Sequence, residues 1–192
     1  MDELNLRVYG LDDAADTIPL QTLLAALVSA GYPVTLATGI TGEASEEELA
    51  SGDWDAAIVR WMDPEMHEVA LIERDRVSES EVTRSVIAGA IQDVANRFGY
   101  DPGGQAIITD HLRKTTVVYS VQMLPALLVN DEHAAWGALD VALRCIAAQA
   151  DGLISVPGEG YCDADGELVL AEEEEMDYEI GFADLEEEPE EA

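Results

Sequence analysis

The tightest constraint in this sequence is the shortness of the links between its β-like runs. Residues 55–61 (DAAIVRW) and 67–74 (HEVALIER) are rich in apolar and β-forming residues and are parted only by a link built around Met62-Asp63-Pro64-Glu65, where proline suits a turn. A parallel crossover takes about a dozen residues or more, so these two runs are expected to pair as an antiparallel hairpin. Thr115 to Met123 places Val117, Tyr119, Val121 and Met123 on one face, with Ala126 to Val129 as a short partner across Pro125. Leu153 to Val156 and Glu167 to Leu170 close the series. Earlier, Leu4, Leu6 and Val8 alternate with Asn5, Arg7 and Tyr9, the period of a half-buried strand, and Val34 to Ala37 form another.

Three runs of helical period lie between these strands. About 18–30, Thr17 can cap, Pro19 fits the first turn, Leu20, Leu23, Leu24 and Leu27 form a stripe, and Gly31 with Pro33 ends it. About 79–98, Ser78 and Glu81 stand at capping-box spacing, Val82, Val86, Ala90, Val94 and Phe98 recur every four residues, and Gly99 closes the run. The third, about 132–149, starts at Asn130 or Asp131 and buries Trp136, Leu139, Leu143 and Ile146. Ser45 and Glu48 start a short helical turn, and Gly99 to Gly104 (GYDPGG) have loop composition. The expected fold is α+β: a two-layer sandwich, mainly antiparallel, with three long helices packed on one face of the sheet.

Charge then limits the partners. The 192 residues carry 41 Asp and Glu against 9 Lys and Arg, and Lys114 is the single lysine. Residues 171–192 hold 12 acids and no base, yet residues 1–170 still carry 29 acids against 9 bases. A single domain over 1–170 followed by an acidic tail over 171–192 is the expected division. Direct nucleic-acid binding needs a basic surface, and an anionic membrane is disfavoured for the same reason. The acidity is open to three readings: solvation in a salt-rich cytoplasm, a surface for a basic partner (including mimicry of a nucleic acid), or plain solubility. No basic and apolar leader opens the sequence, and the two cysteines, Cys145 and Cys162, make no disulfide framework, so the expected location is cytoplasmic.

From the helix at 18 the order is helix, three strands, helix, two strands, helix. That order resembles type III secretion chaperones and the related YbjN-like proteins. The resemblance implies a small, acidic, homodimeric domain that binds other proteins without catalysis. The first strand and the segment after 152 depart from it.

Side-chain chemistry is sparse. Aligned on Gly166 as the turn glycine of a calcium loop, the ligand positions fall on Tyr161, Asp163, Asp165 and Glu172, and tyrosine cannot open such a site. Asp-Ala-Asp-Gly between two apolar strands is read as a hairpin turn, with Asp163, Asp165 and Glu172 as the residues through which it could hold a cation. His67, His111 and His133 lack metal-site spacing, no G-x-S-x-G elbow occurs, and neither glycine-rich loop has a P-loop or dinucleotide pattern, so no cofactor and no catalytic residue is assigned. His111-Leu112-Arg113-Lys114 is a basic island in an acidic chain. In the tail, Met176, Tyr178, Ile180 and Phe182 alternate with Asp177, Glu179 and Gly181, the pattern of a strand that adds to a sheet edge.

These features favour a protein-binding adaptor or chaperone-like domain. Its expected contact residues are Met176, Tyr178, Ile180 and Phe182, with Arg113 and Lys114 as a receptor for the tail. The alternatives are a small-molecule-binding protein or enzyme built on a pocket the sequence does not reveal, and an acidic mimic of nucleic acid. A pocket holding a buried ionisable group is the feature that would favour the first alternative.

Overall fold

The computed structural model describes residues 5–11, 18–38, 43–62, 65–97, 101–124 and 132–172. In chain order the elements are β1 (Asn5–Gly10), α1 (Leu20–Ser29), β2 (Val34–Ala37), α2 (Glu46–Ala50), β3 (Ala56–Trp61), β4 (His67–Arg76), α3 (Glu81–Arg97), α4 (Pro102–Lys114), β5 (Val117–Met123), α5 (Glu132–Ala150), β6 (Gly152–Val156), β7 (Gly160–Cys162) and β8 (Leu168–Ala171). The strands form one 8-stranded sheet in the order β2-β3-β4-β5-β1-β6-β7-β8, antiparallel at every pairing. The fold class is therefore α+β with helices packed on an antiparallel sheet. The anticipated β3–β4 hairpin is present, with a register shift at Val59/Arg60 that doubles Val69 against the facing strand.

Local signals account for most element ends. Pro19 takes the N-cap of α1 (φ −65°, ψ 139°), one residue before the helical position expected for it, and its missing N–H costs nothing there. The α2 capping box forms as read: Ser45 N–H donates to Glu48 Oε2 at 2.8 Å, and Glu48 N–H donates to Ser45 Oγ at 3.3 Å. The Thr38 hydroxyl, then the Ser45 backbone and hydroxyl, hold the Glu48 carboxyl down to about 2. In α3 the cap is Ser80, whose Oγ accepts from Thr83 N–H at 3.1 Å, so the Ser78 and Glu81 box is not the one used.

Of the loop expected at 99–104, Pro102 to Gly104 instead form the first turn of a fourth long helix. Asp101 Oδ1 accepts from Gly103 and Gly104 N–H at 3.1 and 3.0 Å, and Pro102 sits in the first turn. Asp before Pro is a helix-start signal that the neighbouring glycines obscure in the sequence. The strand expected at 126–129 and the caps Thr17, Asn130 and Asp131 lie outside the described residues.

Side chains alternate across β1 and β5, and each set meets its own helices. Leu6, Val8, Val117, Tyr119 and Val121 pack with Leu20, Leu23 and Leu27 of α1 and with Leu139, Leu143 and Ile146 of α5. Tyr9 and Val118 point the other way, into a smaller cluster with Ile87 and Val94 of α3, Ile108 and Leu112 of α4, and Leu153, Tyr161 and Leu170. A single helical layer thus describes one face, and α3 with α4 add a second layer over the strands from β5 to β8. The sequence pattern of β1 does not reveal this, because Asn5, Arg7 and Tyr9 read as a solvated face.

Buried charge is tied down within the sheet. Arg74 has a buried side chain that donates to Gly52 O at 2.7 Å and lies 5.2 Å from the centre of the Trp54 ring. Both cysteines are free thiols, and burial pushes each above its ordinary range.

At Gly160 the backbone has φ +126°, and an added Cβ would lie 2.0 Å from Leu170 O on β8. Gly31 also has positive φ (+89°), but a Cβ there meets nothing within 4 Å. Gly160→Ala is expected to cost at least about 3 kcal/mol, strain plus a broken strand contact, against about 1 kcal/mol for Gly31→Ala. Urea unfolding of the two variants checks this; equal losses would contradict the β7–β8 pairing.

Candidate functional site

The central strand carries the chemistry. Arg7 on β1 stands opposite Ser155 on β6, Ser155 opposite Tyr161 on β7, and Tyr161 opposite Leu170 on β8. Directly paired residues share a face, so these four side chains form one row across the second face of the sheet. Tyr9, two residues along β1, adds the next row on that same face. Across from them α3 presents Val86, Gly89, Ala90 and Asp93, whose spacing of three and four residues makes one helix stripe. The β6–β7 turn (Val156, Pro157, Gly158) and Glu172 complete the rim of a cleft of about 630 Å³.

Hydrogen bonds and burial order its floor. Tyr9 and Tyr161 are 1 % and 3 % exposed, with ring centres 6.4 Å apart and planes inclined at 40°. The Arg7 guanidinium hydrogen-bonds the Tyr9 hydroxyl, and the Ser155 side chain bonds that of Tyr161. Arg7 Nε is buried with no hydrogen-bond partner among the described residues. From α4, His111 Nε2 donates to the Tyr9 backbone carbonyl at 2.7 Å, pinning that helix behind the tyrosine. At the rim Glu172 Oε2 accepts from Gly158 N–H at 2.9 Å.

Burial pushes both phenols above their ordinary range. For Tyr9, Arg7 opposes the shift and Asp93 adds to it; for Tyr161, Tyr9 and Asp93 add to it while Ser155 and Arg7 oppose it. Arg7 and Asp93 thus both act on the same pair of rings.

Of the described residues that the sequence pattern marks, Glu172 lines the cleft, and Arg113, Lys114, Asp163 and Asp165 do not. Met176, Tyr178, Ile180 and Phe182 lie outside the described residues. Arg113 is exposed and Lys114 pairs with Asp110 at 2.6 Å, both in the last turn of α4, where positive charge complements the helix end. Asp163 Oδ1 accepts from Asp165 and Glu167 N–H at 2.9 and 2.8 Å, Gly166 takes φ +78°, and the Arg144 guanidinium bonds Asp165 O, which is the hairpin turn read from the sequence. Glu172 turns instead to the β6–β7 turn, so it does not join Asp163 and Asp165. Among the described residues no group of three or more His, Cys, Asp or Glu stands where it could hold a metal ion, and no helix is long and apolar enough to cross a membrane.

The sequence leaves the cleft unmarked because no local motif joins positions 7, 9, 93, 155 and 161. Its one visible signal is Arg7, the single charged residue of the strand at Asn5–Gly10. No family model matches the chain, and neither the curated proteins nor the solved structures give a match.

A titration of phenol absorbance tests the site's burial. Exposed tyrosines ionise near about 10, whereas Tyr9 and Tyr161 are expected to stay protonated well above that. The raised values contribute stability that is present below about 10 and is lost as pH rises through them, so alkaline unfolding and the late ionisation should coincide. Tyr161→Phe should remove one late proton.

Proposed function

We propose that this chain is a small-molecule-binding domain whose ligand seat is the cleft between α3 and the β1-β6-β7 face. The observation that carries this reading is Arg7, whose half-buried side chain lines a cleft of about 630 Å³ and has no ion-pair partner among the described residues. A half-buried guanidinium without a counter-charge would gain from a bound anionic group. The volume falls within the range of about 300–1,000 Å³ usual for ligand pockets. Nothing in the residues of the cleft assigns a reaction, so the reading stops at binding.

A thermal-shift screen of metabolites against the full chain and Gly89→Leu tests it. Gly89 is an exposed α3 position where an added Cβ meets nothing within 4 Å, so leucine there should leave the fold intact and fill the cleft. A ligand at a hundredfold excess over its Kd should stabilise the parent by about 2.7 kcal/mol and leave Gly89→Leu unmoved. Compounds that stabilise both equally, or none that stabilises the parent, would overturn the assignment.

A second reading, capture of a basic protein partner by a homodimeric adaptor, is favoured by the end of the sheet. Among the described residues no strand pairs with the outer edge of β8; Leu168 on it is 57 % exposed, and the chain runs from there toward the alternating 176–182 segment. A chain of formal charge −32 would select a basic partner. Removal of 173–192 keeps Ala171, paired with Gly160, and Glu172, bonded to Gly158. This truncation is expected to abolish partner capture in a low-salt pull-down while unfolding remains unchanged; retained capture and self-association would exclude the tail.

A further inference from the structure

The cleft described above holds two opposite charges that do not meet. Arg7 rises from the sheet floor and Asp93 lies on the α3 wall, and among the described residues no ion pair joins them or links either to another side chain. Glu172, the third charged residue of the lining, is engaged with the Gly158 backbone.

A ligand with one charge serves this arrangement badly. A plain anion would satisfy Arg7 but share the cleft with Asp93 in the field of a chain of formal charge −32, and a plain cation would face Arg7 and leave its guanidinium without a counter-charge. A guanidinium edge matches the two oxygens of a carboxylate, whereas a lone carboxylate such as Asp93 suits an ammonium. Tyr9 and Tyr161 also line the cleft, but at 1 % and 3 % exposed they supply packed walls and the charged residues are left to select what binds.

We infer that the ligand class is a small zwitterion of the free amino acid type, with its carboxylate on Arg7, its ammonium on Asp93, and its side chain in the remaining space of the cleft. Gly89 and Ala90 on α3 and Gly158 on the turn keep the opposite wall low, leaving room for that side chain. This inference rests on the cleft being a ligand seat, and it adds the charge pattern that selects the occupant.

The test is calorimetric titration of the full chain with the standard free amino acids, followed by three forms of the tightest binder: the free zwitterion, its N-acetyl derivative (an anion) and its carboxamide (a cation). At least one free amino acid is expected to bind, and each blocked form at least about tenfold more weakly, since each leaves one of the two charges unanswered. Asp93→Asn, an exposed helix position that should fold normally, is expected to bring the zwitterion down to the affinity of the N-acetyl form while leaving that form's affinity unchanged or raised. Gly89→Leu should remove binding of all three.

A blocked form that binds as tightly as the free zwitterion overturns the zwitterion assignment while the cleft remains a ligand seat. Amino acids that all fail to bind, beside metabolites of another charge type that do shift the parent and not Gly89→Leu, overturn it in the same way. Absence of any Gly89-dependent ligand overturns both readings.

Discussion

The structure depends on the insertion of β1 between β5 and β6. Residues 5–10 pair with 117–122 on one side, and residues 7–10 pair with 152–155 on the other, so the first strand of the chain stitches two separate hairpin systems into one sheet. Without it β2-β3-β4-β5 and β6-β7-β8 would be separate sheets, each with an extra open edge. The joint is tight: a Cβ on Gly10 would stand 2.8 Å from Ala150 Cβ, and one on Gly152 would stand 2.8 Å from Val8 Cγ1. Glycine at both positions lets the end of α5 turn directly into β6 against β1. Such pairing closes a loop of well over a hundred residues, an entropy cost that the core of α1 and α5 must offset.

That central position also creates the cleft. A strand in mid-sheet has two covered faces, and β1 sends Val8 into the larger core while Arg7 and Tyr9 enter the smaller one. Where Ile87 and Val94 of α3 reach the sheet, the second layer is filled. Where α3 offers Gly89 instead, which has no side chain, the face opens into the hollow lined by Arg7 and Ser155. The same helix therefore seals one part of that face and opens the other, according to side-chain size along its stripes.

Acidity shapes what the cleft can accept. The net charge of the chain opposes anions at a distance, but within a few ångströms a half-buried guanidinium outweighs a field screened over about 8–10 Å of salt solution. Local geometry can thus present a positive floor in a strongly negative molecule, and a ligand carrying both signs satisfies the floor and the field together. On the proposed adaptor reading, the β8 edge answers to the long-range field instead, which would favour a basic chain there.

The sequence alone determined the elements and their antiparallel pairing. Two-residue alternation and short links set the strands, leucine spacing set α1 and α5, and the Ser45 and Glu48 pair and the Asp163-Ala164-Asp165-Gly166 turn formed where their side chains could reach their own backbone. These are local effects, acting over a few residues. Helix α4 escaped because glycine composition hid the Asp101 and Pro102 start signal. Only the tertiary structure decided that β1 lies in the middle of the sheet, that helices cover both faces, and that Arg7, Tyr9, Asp93, Ser155 and Tyr161 share one cleft. Strand order is set by packing between elements distant in the chain, and no periodicity within β1 records which strands will flank it or which helix will stand above its polar face.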